Sequence, residues 1–347
     1  MPTKLSLELM LPELCDVHKI VESAPSQYTL HTLTNVHVND ATLPVLAVEA
    51  GSRAPGAPVL FITGGVHGLE RIGSRVVIAY MRSLFNLVSW DEVMAAALTK
   101  MRLVFIPIVN PGGMLQRTRS NPNGIDLMRN APIDREETGG IPLVAGHRLG
   151  PWLPWYRGKP GAPMEKESKA VFDFIRSHLD QAKFACILDV HSGFGVVDRL
   201  WLPFAYTKRP FPQAPEAYRL KMLLDQTYPN HVYRFEPQAT QYTTHGDLWD
   251  HLYLECQKDA PATLLLPLAL ELGSWLWVKK NPRQLLSATG MFNPLKPHRH
   301  SRILRRHLVL FDFLIRATAS CEKWAFPDSE KRSELALAAG AEWYQNL

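Results

Sequence analysis

Short, continuous apolar segments alternate with helical segments along most of the 347-residue chain, and this alternation restricts the fold more than any other feature. Four segments are apolar at nearly every position, as is typical of strands buried on both faces: residues 59–63, 101–109, 184–190 and 263–272. Amphipathic stretches with helical spacing lie between or after them, at residues 71–87, 165–179, 217–227 and 301–317. The pattern predicts an α/β fold with a mixed, mostly parallel central sheet and helices on both faces.

Composition and charge exclude several classes of protein. Apolar residues make up 46% of the chain, and the excess of 38 Lys and Arg over 33 Asp and Glu is small and scattered, so nucleic acid is not an expected partner. The longest apolar stretch contains Pro267 and Glu271, so a membrane span is not expected. Four distant cysteines without a CxxC pair, and no secretory signal at the N-terminus, favour a cytoplasmic location.

Two of the apolar strands are followed by residues that can bind a metal ion. His67 and Glu70 come directly after the first strand, in Gly64-Gly-Val-His-Gly-Leu-Glu70, and His191 follows the strand at 184–190. Two imidazoles and one carboxylate form the ligand set of catalytic zinc sites, which keep a fourth position for water. The alternatives are a surface turn around His67 and a hydrogen-bonded core histidine at 191.

Glu271 stands inside the apolar segment 267–275. A carboxylate in such surroundings is excluded from a core strand unless it is paired or has a chemical role, and burial raises its pKa toward the range of a general base. The alternative is an edge-strand glutamate that faces solvent.

The long, Gly- and Pro-rich loop that follows the strand at 101–109 contains Arg117, Arg119 and Arg129. Long irregular loops inside a domain are usually functional, and arginine suits bidentate binding of a carboxylate. The alternative is solvated loop charge. Two other polar groups have weaker interpretations. The His245, Asp247, Asp250 and His251 group is a rival metal cluster, although a substrate-facing loop is the favoured interpretation. The 298–300 and 305–307 clusters are expected to cap and solvate the last helix, and the alternative is a site for phosphate or an acidic partner.

Together these motifs resemble the zinc metallocarboxypeptidase superfamily, the carboxypeptidase A-like enzymes that include the succinylglutamate desuccinylase/aspartoacylase branch. The resemblance covers residues 59–275 and consists of HxxE after a strand, an Asn-Pro turn, an Asp-x-x-Arg-Asn segment, a strand-end His-Ser and a strand glutamate. It implies a zinc cofactor and a zinc-carboxypeptidase-like catalytic domain over residues 1–347. That domain is divided into a leading helix and strands (1–54), a catalytic core (55–278) and a C-terminal helical part (279–347).

The resemblance also implies a role for each matching residue. His67, Glu70 and His191 correspond to the zinc ligands, Glu271 to the general base, and Arg117 to the arginine that polarises the scissile carbonyl. Asp126 corresponds to the acid that fixes the first zinc histidine, and Arg129 to the arginine that holds the free carboxylate of the substrate. Further candidate substrate contacts are Asn130, Tyr242 and Tyr253.

Met128 departs from the pattern, because the exopeptidases usually have an asparagine before the carboxylate-binding arginine. A thioether is a weak acceptor without a donor, so part of that binding site is lost. The resemblance favours a zinc hydrolase that cleaves an amide bond, with a peptide carrying a free carboxylate as substrate. The alternatives are a deacylase of N-acyl amino acids and a non-catalytic binding module on the same scaffold.

Overall fold

A single sheet is the centre of the fold. The computed structural model describes residues 10–23, 28–137, 143–287 and 289–345. Its strands are β1 (Thr29–Val38), β2 (Ala41–Gly51), β3 (Val59–Gly64), β4 (Arg102–Ile106), β5 (Phe184–Ser192), β6 (Arg199–Leu202), β7 (Arg234–Pro237) and β8 (Leu264–Leu272). They form a sheet in the order β1-β2-β4-β3-β5-β8-β6-β7. The central strands β4, β3, β5 and β8 are parallel, whereas β1, β2 and β6 pair antiparallel to their inner neighbours. The predicted mixed, mostly parallel α/β sheet is therefore confirmed.

Helices pack against this sheet in two groups. The described helices are α1 (Pro12–Glu22), α2 (Arg71–Val88), α3 (Glu92–Lys100), α4 (Pro111–Gln116), α5 (Lys166–Leu179), α6 (Ala214–Thr227), α7 (Leu248–Asp259), α8 (Trp275–Lys280), α9 (Pro297–Arg306), α10 (Leu308–Ala319) and α11 (Ser329–Ala339). In the first group α2, α3 and α10 contact one another, and α2 and α10 pack on β3 and β5; in the second, α5 and α7 contact each other and pack on β1 and β8. None of the described helices combines the length and hydrophobicity that a membrane span requires.

Hydrophobic spacing accounts for the elements nearest the site. Every residue of β3 and β5 is buried, as expected for strands covered on both faces. In α2 the buried positions Ile72, Val76, Tyr80 and Leu84 are four residues apart and form one stripe. The predicted leading helix is α1, and the helices predicted at 71–87 and 165–179 are confirmed within one or two residues at each end.

Two predicted boundaries are wrong for tertiary reasons. The helix predicted at 301–317 is two helices, α9 and α10, that meet at His307, whose buried ring accepts or donates a hydrogen bond with the Tyr233 hydroxyl at 2.9 Å. The strand predicted to end at residue 190 continues to Ser192, because its last residues pair with β8. His191 is therefore a strand residue.

The predicted division into residues 1–54, 55–278 and 279–347 stays a prediction. Parts of these ranges, residues 1–9, 24–27, 138–142, 288, 346 and 347, lie outside the described residues.

The topology brings the candidate residues to one edge of the sheet. Strands β3, β5 and β8 are parallel neighbours, so their carboxyl ends lie side by side. In open α/β sheets ligands bind beyond this edge. The sequence segments that follow β3 and those at the ends of β5 and β8 carry His67, Glu70, His191 and Glu271.

Helix α2 approaches β5 closely at Gly73, where an added Cβ would overlap the carbonyl oxygen of Val190. We expect Gly73→Ala to lower the free energy of unfolding by about 1–3 kcal/mol, because overpacking exceeds the gain in helix propensity. Urea unfolding followed by circular dichroism measures this change. Gly340→Ala is the matched control, since a Cβ there has no neighbour within 4 Å. A Gly73→Ala protein as stable as the control would contradict the close packing.

Candidate active site

His67, Glu70 and His191 come together in a compact, buried cluster. One ligand atom from each residue lies within 4.8 Å of the other two, and all three side chains are buried. His67 lies in the turn after β3, Glu70 directly precedes α2, and His191 is the penultimate residue of β5. The two imidazole centroids are 5.3 Å apart. Within the described residues, this is the group of three that could hold a metal ion.

A buried carboxylate that sequence reasoning missed orients His191. The Oδ2 atom of Asp189 lies 2.7 Å from Nε2 of His191 and also accepts a hydrogen bond from Nε1 of Trp249 at 2.9 Å. Its other oxygen accepts from the Thr63 hydroxyl at 2.7 Å. With Nε2 thus occupied, Nδ1 of His191 is left facing Glu70, 3.5 Å from its Oε2. Histidines that bind metals are commonly fixed in this way by a carboxylate behind them.

The protonation preferences of the two histidines fit a bound cation. Burial and the nearby Arg119 charge lower the pKa of His67 well below its ordinary value, so its imidazole is neutral, as a metal ligand must be. Burial alone would also lower the pKa of His191, but the carboxylates of Asp189 and Glu70 outweigh it and raise that pKa well above the ordinary value. Carboxylates that favour a proton on His191 also favour a divalent cation beside it.

An unpartnered polar atom supports the same conclusion. Nδ1 of His67 is buried without a hydrogen-bond partner among the described residues. A buried polar atom without a partner is costly, so hydrogen bonds among the described residues do not by themselves account for the burial of the His67 ring. The donor set of two imidazoles and one carboxylate therefore fits zinc.

Glu271 lies beside the cluster on β8, directly opposite His191 in the β5–β8 register. Its side chain is buried and its Oε2 atom has no hydrogen-bond partner among the described residues. Burial raises the pKa of Glu271 to about 8, and the neighbouring Glu70 charge contributes in the same direction. A carboxylate near this pKa can both accept and return a proton close to neutral pH.

Arg119 is the arginine beside the ligand cluster, whereas Arg117, predicted for that place, lies outside the cavity lining. Arg117 is exposed and ends α4 in the left-handed conformation, with φ of 59°. After that turn Arg119 enters the site, where its guanidinium lies 2.8 Å from Nε2 of His67 and 3.4 Å from Oε1 of Glu70. The two arginines are separated by a single residue, and the local sequence did not indicate which one turns inward.

Asp126 lies under both His67 and Arg119. Its Oδ1 is 3.7 Å from Nδ1 of His67, and its Oδ2 accepts a hydrogen bond from Nε of Arg119 at 2.8 Å. The carboxylate also accepts from the backbone N–H of Met128 at 3.1 Å. Asp126 thus holds the arginine as well as facing the histidine.

Arg129 is buried in the pocket wall without a carboxylate within 4 Å among the described residues. Its Nε atom has no hydrogen-bond partner, and a weak contact of 3.5 Å joins Nη1 to the carbonyl oxygen of Met128. Arg157, another residue missed from sequence, fixes the backbone here by donating from Nε to the Arg129 carbonyl oxygen at 3.1 Å. A buried guanidinium without a paired anion is a binding site for one.

Two of the predicted substrate contacts, Asn130 and Tyr253, lie outside the cavity lining. Asn130 is buried away from the pocket lining, because its amide donates to the Arg157 carbonyl at 3.0 Å and accepts from the backbone N–H of Glu165. Tyr253 lies on the buried side of α7, where its hydroxyl donates to Gln213. Tyr242 does line the pocket, and its ring lies 5.8 Å from that of Trp201.

The rival metal cluster does not assemble. His245 lies 3.1 Å from Asp134, and His251 stacks on Phe172 with centroids 5.0 Å apart. The carboxylates of Asp247 and Asp250 accept backbone N–H groups, the first at the start of α7 and the second from residues 205 and 206.

These groups surround a cavity of about 1070 Å³. Its lining includes His67, Glu70, His191 and Glu271, together with Arg119 and Arg129. Aromatic side chains complete the walls: Trp155, Phe194, Trp201, Tyr242, Trp249, Trp275 and Phe292. The volume is large enough for several residues of a peptide.

Comparison with known proteins relates the chain to zinc carboxypeptidases. The sequence model of the family described as zinc carboxypeptidase matches residues 16–259, a range that ends before Glu271. Mast cell carboxypeptidase A of Rattus norvegicus is 26% identical over 228 residues, which is 60% of this chain and 52% of that protein. Carboxypeptidase B of Bos taurus is 29% identical over 162 residues, 43% of this chain and 36% of that protein. A Schizosaccharomyces pombe protein named inactive metallocarboxypeptidase ecm14 is 32% identical over 179 residues, 49% of this chain and 35% of that protein.

Solved structures share the fold. Thrombin-activatable fibrinolysis inhibitor aligns with a TM-score of 0.65 at 16% identity, over 87% of this chain and 72% of that one. Carboxypeptidase A from Helicoverpa armigera aligns with a TM-score of 0.57 at 15% identity, over 85% of this chain and 71% of that one. The matches to the curated relatives span about half of their length or less.

We expect the purified protein to carry about one zinc ion per chain, held by His67, Glu70 and His191. His67→Ala and His191→Ala should each abolish tight zinc binding, and Asp189→Asn should weaken it about 10- to 100-fold by loosening His191. Metal analysis after dialysis, with competition by a chelator, measures the affinity. His245→Ala is the control and should retain its zinc. Full zinc content in both alanine variants of the predicted ligands would contradict the assignment.

We expect Arg119→Ala to reduce the hydrolysis of a peptide substrate about 10²- to 10³-fold in kcat, the loss typical of one group that stabilises an oxyanion. Arg117→Ala is the matched control and should stay within about twofold of the parent protein, because Arg117 is exposed outside the cavity. Steady-state kinetics on one peptide measures both variants. Equal losses of kcat in the two variants would contradict the placement of Arg119, rather than Arg117, in the site.

Proposed function

The chain belongs to the zinc carboxypeptidase family, and from this premise we propose that it removes residues from the C-terminus of peptides by zinc-dependent hydrolysis. The observation that carries the proposal is the buried, unpaired guanidinium of Arg129 in the wall of the same cavity as the His67, Glu70 and His191 cluster. An enzyme that cleaves at the chain end must recognise the terminal carboxylate, and arginine does so with two parallel hydrogen bonds.

His67, Glu70 and His191 would hold the zinc ion. When bound, zinc would supply a Lewis acid that polarises a carbonyl and makes water a stronger nucleophile. The chain's own residues support the rest of the chemistry.

Glu271 is suited to move the proton in this reaction. Its carboxylate would accept a proton from the attacking water and return it to the nitrogen of the leaving amine. The pKa of Glu271, raised by burial to about 8, supports both directions of transfer. Its position opposite His191 keeps it beside the ligand cluster.

Arg119 is suited to stabilise the oxyanion that forms from the scissile carbonyl. Its guanidinium lies within hydrogen-bond distance of the ligand His67 and is held from behind by Asp126. Preorganised charge of this kind needs no reorganisation during the reaction. Arg129, which lines the same cavity, would fix the register of the substrate by its terminal carboxylate.

An N-acyl amino acid deacylase is the second candidate. Met128 favours it, because this residue lines the cavity beside Arg129 where the exopeptidases usually have an amide. Such a substrate also ends in a carboxylate but is much shorter than a peptide. The aromatic walls and the volume of about 1070 Å³ favour the peptide. A non-catalytic module is the third candidate, and the retained ligand set and Glu271 argue against it.

A cellular location in a reducing compartment belongs to the same proposal. Cys186, Cys256 and Cys321 are buried free thiols. This arrangement is typical of cytoplasmic proteins.

The test is a cycle of two substrates and two proteins. We expect the parent enzyme to cleave a blocked peptide with a free C-terminus, and amidation of that terminus to lower kcat/KM about 10- to 100-fold, since a charged hydrogen bond is worth about 1.5–3 kcal/mol. Arg129→Ala should lower kcat/KM for the free peptide by a similar factor. Amidation of the peptide should then lower the kcat/KM of this variant little further. Mass spectrometry of the products measures the rates and the cleavage site.

A control variant and three distinguishable outcomes make this cycle decisive. Glu271→Gln, which should keep its zinc, is the inactive control for contaminating peptidases. Strictly additive losses in the cycle would mean that Arg129 does not bind the carboxylate. Cleavage of N-acyl amino acids at much higher kcat/KM than any peptide would favour the deacylase, and no turnover of either class would favour the binding module.

A further inference from the structure

One segment of the chain is strongly basic, so the excess of basic residues is concentrated there and is not scattered as predicted. Residues 272–311 contain eight Lys and Arg and no Asp or Glu, whereas the whole chain has only five more basic than acidic residues. The remainder of the chain therefore has a slight acidic excess. We call residues 275–306 the basic segment; it comprises α8, a 3₁₀ turn (Pro282–Leu286), a loop and α9.

Most of these cations have no counter-charge. Arg306 lies 3.3 Å from Asp198, and Arg299 donates to the carbonyl oxygen of Trp277 at 3.1 Å. The others are exposed and form no ion pair in the described part of the chain: Lys279, Lys280, Arg283, Lys296, Arg302 and Arg305. Cations that repel one another without counter-charges nearby attract an acidic partner.

Exposed apolar side chains lie among the basic ones. Leu286 is 90% exposed, Leu285 56%, Leu295 46% and Met291 40%. A surface that combines charge with apolar contacts suits a polypeptide better than a small anion.

The basic segment forms part of the cavity wall. Trp275, Met291 and Phe292 line the cavity. The backbone N–H of Trp275 donates to the Gly195 carbonyl at 2.9 Å, and the Ser192 hydroxyl donates to the Phe292 carbonyl at 2.8 Å. The segment is thus bonded to the chain directly after the ligand His191.

Asn293 ties the segment to the other ligands. Its amide donates to the Leu69 carbonyl at 2.7 Å and accepts from the backbone N–H of Ile72 at 2.9 Å, on either side of Glu70. Lys279 and Lys280 lie about 6–8 Å beyond Trp275 along α8. The unpaired cations therefore begin within a few residues of the cavity.

We propose that the basic segment binds acidic residues of the substrate polypeptide upstream of the residue that is removed. The inference rests on the proposed function. A peptide whose terminal carboxylate reaches Arg129 must leave the cavity through its mouth, and the segment adjoins that mouth on the side of the ligands. Continuity with the cavity favours a polypeptide over an anionic lipid surface, which the segment would otherwise also suit.

Three blocked hexapeptides with the same last two residues test the proposal, with Glu, Gln or Lys at the four upstream positions. We expect kcat/KM for the Glu peptide to exceed that for the Gln peptide about three- to thirtyfold at low salt, and the Lys peptide to be the poorest. The preference should largely disappear at 0.5 M salt (about 4 Å screening length). Product analysis by mass spectrometry gives the rates.

A matched pair of variants locates the effect. Lys279→Glu/Lys280→Glu should abolish or reverse the preference while the Gln peptide is cleaved within about twofold of the parent rate. Lys100→Glu/Lys323→Glu carries the same charge change far from the cavity. Lys100 ends α3, two residues before β4 begins, and Glu322, beside Lys323, pairs with Lys183 directly before β5. This control should keep the preference, and thermal unfolding verifies that both variants fold.

The outcomes separate the inference from the function it rests on. Equal rates on all three peptides, or a preference lost equally in both variants, overturn the inference and leave the proposed function intact. If the protein cleaves none of the three hexapeptides and neither the free nor the amidated peptide of the preceding test, the inference and the proposed function are both overturned. Co-sedimentation with phosphatidylserine/phosphatidylcholine vesicles tests for a lipid surface. If the parent protein binds the vesicles, the Lys279→Glu/Lys280→Glu variant does not, and the three peptides are cleaved at equal rates, the segment binds a lipid surface and the inference is overturned.

Discussion

The parallel pairing of β5 with β8 is the constraint on which the site depends. It sets His191 opposite Glu271, and the pairing of β3 with the other edge of β5 brings the turn that carries His67 and Glu70 to the same place. A slip of one residue in either pairing would turn a ligand or the base to the opposite face of the sheet. Because β3 and β5 are buried along their entire length, hydrophobic packing on both faces prevents such a slip. The chemistry of the site is thus positioned by the apolar core beneath it.

The buried cationic groups of the site are paired with carboxylates, with one exception. Asp189 compensates His191, while Asp126 and Glu70 compensate Arg119. Burial of these groups would be costly without such partners. Arg129 is the exception, since no carboxylate among the described residues comes within 4 Å of it. Under the proposed function, this guanidinium pairs with an anion supplied by the substrate.

The sequence predicted those parts of the site that have a local signal. A polar residue at the end of an apolar strand stands out, so the metal-ligand candidates and Glu271 could be named from the pattern. Loop residues have no such signal: Arg119 rather than Arg117 enters the cavity because the chain turns at a left-handed residue, and Tyr253 is withdrawn because α7 buries it. Asp189 was overlooked since it stands within an apolar strand whose role was assigned to packing. The break at His307 likewise depends on a contact with Tyr233, 74 residues away in the chain.

Asn293 has a consequence for how the protein can be divided. Its amide forms hydrogen bonds with the backbone on both sides of Glu70, although Asn293 lies 34 residues beyond the last residue of the family match. Tyr80 of α2 is tied in the same way to Asp312 through its hydroxyl, at 2.7 Å. A fragment limited to residues 16–259 would lose Glu271, the Asn293 hydrogen bonds on either side of Glu70, and the Asp312 hydrogen bond to Tyr80 of α2. The smallest unit that could be expressed, fused or transplanted with its chemistry intact therefore extends through α10.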